Sequence, residues 1–164
     1  AGRDYRAHHR LEGDALAHAK RLLKMAAVMQ FTMPGSPTIY YGDEAGQQGY
    51  EDPFNRRTYP WGQEDAELLD FYRTLCAVRD GSDALKQGDL TFLEAHNDIL
   101  LYVRTENDEQ ILTAVNRSEQ PVSYALTGAQ CAESLLEDTV YESEDEDALV
   151  IELPPYTAQL FRLH

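Results

Sequence analysis

The chain changes texture near Ala84, and that change restricts its folding more than any other feature. Beyond it lie seven short β-prone runs, at 90–95, 99–105, 110–116, 121–126, 134–136, 149–153 and 157–163. Several alternate by face, as Leu101, Val103 and Thr105 do against Leu100, Tyr102 and Arg104. Turn signals such as His96-Asn97-Asp98, Glu106-Asn107-Asp108 and Asn116-Arg117-Ser118 separate them. Short strands with this punctuation predict an antiparallel sandwich of about 80 residues.

Before Ala84 the signals are helical. Positions 14–33 are rich in Ala, Leu and Met, with Asp14 placed as an N-cap. The apolar positions, among them Leu16, Leu22, Leu23, Met25, Val28, Met29 and Phe31, wrap nearly all round the axis. A helix apolar on so many sides needs neighbours on the sandwich, on a second copy or in chain beyond this sequence. Pro34, Gly35 and Pro37 stop it, and Thr38, Ile39, Tyr40 and Tyr41 predict a short buried strand closed by Gly42. The segment 42–62 reads as a long Gly-rich loop, of the kind that is usually functional or disordered. From Glu64 a second helix is legible, with Leu68, Phe71, Tyr72, Leu75 and Val78 on one stripe and an end near Asp80-Gly81.

The chain has 164 residues, 14 Lys and Arg against 29 Asp and Glu, and a formal charge of -15. Such a surface repels phosphate backbones and anionic headgroups, which argues against nucleic acid and membranes as partners. No apolar run approaches the roughly 20 residues of a membrane span. Cys76 and Cys131 are too few and too far apart for a disulfide framework, so buried free thiols are expected. The opening Ala1-Gly2-Arg3 lacks a methionine, as a piece of a longer protein would.

The string 31–61, FTMPGSPTIYYGDEAGQQGYEDPFNRRTYPW, goes beyond pattern. It closely resembles the end of the (β/α)₈ barrel in the α-amylase family of glycoside hydrolases, especially the neopullulanase, cyclomaltodextrinase and oligo-glucosidase branches. Pro34-Gly35-Ser36-Pro37, then Ile39-Tyr40-Tyr41-Gly42-Asp43-Glu44, Asp52-Pro53, Arg56-Arg57 and Pro60-Trp61 match in order. The resemblance implies an α+β piece: the last helix, strand, loop and helix of the barrel over 1–82, then the β-sandwich called domain C over 83–164. It implies a parent that is a retaining hydrolase or transglycosylase of α-glucosidic bonds in starch-derived oligosaccharides, requiring no metal or organic cofactor. The family's catalytic carboxylates lie on earlier strands, so none is expected here and the chain alone should be inactive.

Asp43 and Glu44 sit where such barrels keep their chemistry. Adjacent strand residues point to opposite faces, so a structural role with Gly42 is expected for them. The resemblance implies that Asp52 and Arg56 bind glucose on the non-reducing side of the cleaved bond, the bland alternative being a loop ion pair. Tyr50, Tyr59 and Trp61 have rings suited to stacking on a pyranose, but the family's Pro-Trp mainly packs on the barrel, and packing is expected. His8, His9 and His18 lack metal-ligand spacing, and the acidic run 142–147 lacks a calcium-loop pattern. A rival reading is a non-catalytic carbohydrate-binding or interaction module, with Tyr102, Tyr124 and Tyr141 as an aromatic face. The apolar first helix predicts self-association.

Overall fold

A computed structural model describes residues 2–143 and 148–164. The helices are α1 (Arg3–His8), α2 (Gly13–Thr32), α3 (Ala66–Asp80) and α4 (Asp83–Gln87). The strands are β1 (Asp89–His96), β2 (Ile99–Glu106), β3 (Glu109–Asn116), β4 (Val122–Thr127), β5 (Cys131–Ser134), β6 (Val140–Glu142), β7 (Ala148–Leu153) and β8 (Thr157–Leu163). One sheet runs β1-β2-β3-β8-β5-β6, and β4 pairs with β7 in a second; every pairing is antiparallel.

Strand alternation sorts side chains into two cores. Leu101, Val103, Leu112, Ala114 and Phe161 point from the large sheet to Leu126, Leu149, Ile151 and Leu153 of the small one, closing the predicted sandwich. The intervening residues face the helices. Ile111 and Leu160 pack with Ala84 and Leu85 of α4, while the fully buried Tyr102 hydroxyl meets Thr32 Oγ1 of α2 at 2.6 Å. The middle of the large sheet is therefore covered on both faces. This accounts for the unbroken burial of β3 from Ile111 to Asn116.

One arginine fastens the helices to this sheet and a second ties α3 to the end of α2. Arg104 of β2, 1% exposed, donates to the carbonyls of Thr32 (2.7 Å), Leu85 (3.1 Å) and Gly88 (2.7 Å). Arg79 of α3 donates to the carbonyls of Phe31 and Gly35. The last carbonyls of α2 lack intrahelical donors and carry the negative end of the helix dipole, so two cations suit that end. Among the described residues neither guanidinium makes an ion pair with a carboxylate. Burial, and then the nearby Arg79, push the Arg104 pKa down.

Several expectations need correction. Positions 38–41 form no strand: nothing described runs beside them to complete a ladder, and the Asp43 N–H instead closes a turn onto the Tyr40 carbonyl at 3.1 Å. Asp14 is not the N-cap of α2, which Glu12 occupies without a side-chain bond. The run foreseen at 134–136 pairs earlier, at Cys131–Ser134, because Leu135 and Leu136 turn inward to the helix-facing cores. Helices α1 and α4 and strand β6 were not foreseen. Helix α2 is buried only toward its C-terminal half, at Met25, Ala27, Val28, Phe31 and Thr32, and Leu22 remains 39% exposed. Both cysteines are free but only half-buried. Of the acidic run, 144–147 lie outside the described residues.

Candidate functional site

The loop 42–62 starts from Gly42, buried with φ +96°, whose carbonyl accepts from Ala45 N–H (3.1 Å) and Gln47 N–H (2.8 Å). The positive φ calls for glycine, and a β-carbon there would also push aside the tip of Gln47, whose Oε1 would lie 2.2 Å away. Glu44 folds back to accept from Gly42 N–H at 2.9 Å and also bonds the Tyr59 hydroxyl. Asp43 has no side-chain partner among the described residues. Burial, and then Glu44, raise its pKa. These carboxylates add to burial in pushing the Tyr72 hydroxyl up to about 12. The three residues 42–44 thus shape the turn that opens the loop.

The loop's far end is held by α3. Asp65 caps that helix by accepting from Leu68 N–H at 3.1 Å, pairs with Lys20 of α2, and donates its own N–H to the Ala45 carbonyl at 3.0 Å. Burial raises the Asp65 pKa, but Lys20 and the capped N–H groups outweigh it, and the net direction is down.

Asp52 and Arg56 form an ion pair with each other, the bland alternative of the sequence reading. A turn closed by Phe54 N–H to Glu51 O (2.9 Å) and Arg56 N–H to Pro53 O (3.1 Å) sets Arg56 Nε 2.5 Å from Asp52 Oδ1. Both side chains are more than 60% exposed, at 68% and 62%. Beside this turn Tyr40, Tyr41, Asp43, Gln47 and Asn55 line a cavity of about 160 Å³. Gln47 Oε1 and Asn55 Oδ1 are buried with no hydrogen-bond partner among the described residues. Asp43, Gln47 and Asn55 give this lining a carboxylate and amide groups, which suit a ligand that brings hydroxyl donors.

Other anchors were not legible from the sequence. Arg57 donates to the Ala7 carbonyl (2.6 Å), Gln48 exchanges two bonds with the Leu11 backbone (2.6 and 3.1 Å), and Arg6 pairs with Glu51. These contacts join residues 37 to 50 positions apart, a range no local motif reports.

The remaining candidates are scattered. Trp61 is 81% exposed beside Tyr59, with ring centroids 4.5 Å apart, so within this chain it is not buried in a core. His9 stacks on Tyr5 and His18 stands edge-on to Tyr156, which places them on different surfaces. Among the described residues no three His, Cys, Asp or Glu side chains converge. Tyr102 is fully buried, while Tyr124 lies in the small sheet and Tyr141 packs edge-on against Phe161, so the three form no common face.

Residues 90–159 match the family model described as maltogenic amylase, C-terminal domain. The whole arrangement superposes on the crystal structure of an Anoxybacillus α-amylase with a TM-score of 0.80 and 30% identity, covering 86% of this chain and 32% of that one. The chain belongs to the α-amylase family of glycoside hydrolases. It shares 33% identity over 148 residues with a cyclomaltodextrinase of Geobacillus thermopakistaniensis, covering 86% of this chain and 25% of that protein. With an amylopullulanase of Thermoanaerobacter thermohydrosulfuricus it shares 49% over 86 residues, 52% of this chain and 6% of that protein. The chain therefore spans only a minor part of the α-amylase-family proteins it matches. The sandwich is their C-terminal domain.

Proposed function

We propose that this chain is part of an α-amylase-family enzyme that cleaves or transfers α-glucosidic bonds of starch-derived oligosaccharides. The superposition supports this reading because it covers 86% of the chain, whereas a stray β-sandwich would match only its own half. Residues 1–82 would complete the catalytic barrel and 83–164 would form the domain that covers and steadies it.

Retention needs two carboxyl groups about 5–5.5 Å apart across the bond. Asp43 and Glu44 do not suit that task, since Glu44 is spent on its own turn and the two are sequence neighbours. The catalytic pair is assigned to other parts of the parent, and a pure sample of this chain should not turn over a maltosyl substrate; measurable turnover would refute that.

Within the parent, Asp52 and Arg56 would hold a glucose unit on the non-reducing side. A carboxylate and a planar guanidinium side by side can bond adjacent hydroxyls, and the polar cavity next to them supports the same use. Asp52→Ala in the parent should raise KM by roughly tenfold, the scale of one charge-assisted bond. Unchanged kcat and KM would return the pair to a plain loop ion pair.

A further inference from the structure

A second concave site lies away from this loop, where α2 and α3 cross the large sheet. It is a cavity of about 440 Å³, within the range of about 300–1,000 Å³ usual for small-molecule sites. Phe71, Tyr141 and Tyr156 contribute aromatic rings to its walls, and none of its lining residues belongs to the 42–62 loop.

The rings are held by their surroundings. Tyr156 stands edge-on to His18 with centroids 4.6 Å apart, and its hydroxyl reaches Glu119 at 3.3 Å. Tyr141 stands edge-on to Phe161 at 5.6 Å. Around them is a mixed set of polar groups. Arg21 lies 5.8 Å from the Tyr156 ring centre and makes no ion pair among the described residues. Lys24 lies 5.1 Å from the Phe71 ring and also reaches Glu67. Glu137 supplies a carboxylate, and Gln159 Oε1 is buried with no hydrogen-bond partner among the described residues.

Each feature narrows the ligand. An alkyl chain would leave Arg21 and Glu137, both in the lining, without partners in the cleft. A phosphate would meet Glu137, and a metal ion would find one carboxylate among cations. A pyranose fits all of them, because its C–H face stacks on fixed rings while its hydroxyls both donate and accept. We propose that this cleft is a second α-glucan-binding site, distinct from the Asp52–Arg56 turn. The choice of a glucan over another polyol rests on the proposed function above; the placement of the site does not.

The test is a titration of the ¹⁵N-labelled chain with maltotriose. Saturable shifts are expected at Arg21, Phe71, Ala158 and Gln159. Arg21→Ala and Gln159→Leu should each weaken that binding about tenfold, whereas Asp52→Ala should leave it unchanged. Gln159→Leu also removes a buried unpaired oxygen, so a folded variant with lost binding separates ligand contact from a structural role. Absence of saturable shifts, or full affinity in both cleft variants, would overturn the proposal. Activity of the intact parent on maltosyl substrates is a separate readout. A parent that cleaves glucans while this cleft stays silent sinks the second site alone, and the reverse outcome sinks the proposed enzyme alone.

Discussion

Arg104 donates to carbonyls from α2, α4 and the bend that follows α4, so one side chain satisfies acceptors on three segments. Replacing it with Met keeps bulk but strands those carbonyls. Arg104→Met should lower stability by about 3 kcal/mol in urea, and Arg104→Lys should recover only part because an ammonium lacks the planar fork. Tyr72 offers a pH test. Its folded pKa of about 12 exceeds the unfolded 10.0, so the folded chain keeps this proton while the unfolded chain sheds it. That contribution is whole below pH 10 and is lost as pH rises from 10 through 12, by about 2–3 kcal/mol. Tyr72→Phe should flatten the stability curve over that window, as urea midpoints at successive pH values would show.

Gly88 joins α4 to β1 in a space without room for a side chain. A β-carbon there would sit 2.6 Å from the carbonyl oxygens of both Ala84 and Thr105, and backbone cannot give way as a side-chain tip can. Gly88→Ala should cost at least about 2 kcal/mol, and a urea midpoint equal to wild type would contradict this. The elements that the sequence disclosed are those with their own periodicity. The stripe Leu68, Tyr72 and Leu75 marked α3, and the alternation of Leu101 to Arg104 marked β2. What it hid depends on partners. Positions 38–41 have strand composition yet no ladder, and α1 gave no periodic signal in six residues. Asp52 and Arg56 were legible as a pair because i,i+4 spacing within a family motif places them together. The anchors Arg6, Gln48 and Arg57 were not, since their partners lie far along the chain.

At the scale of the molecule, apolar surface remains uncovered at Leu22 (39% exposed), Tyr40 (46%), Tyr41 (44%) and Trp61 (81%). Isolated apolar residues on a surface are ordinary, but these belong to the segments that would complete a barrel. The chain by itself should therefore self-associate: light scattering is expected to give a mass above the monomer, reduced by Tyr40→Ser with Tyr41→Ser. A monomeric wild-type chain would refute this. The seam between helices and sheet has a different character from the rest of the surface. The donor with the most bonds across it is the Arg104 guanidinium, which stays protonated in water, and its acceptors are peptide carbonyls, which do not ionise. Acid neutralises carboxylates such as Asp65 and loosens the ion pairs they make, and salt screens the exposed ones. The bonds from Arg104 share neither weakness, so helices and sheet should stay locked together in acid or brine, with no hinge at the 82–83 junction about which one layer could swing.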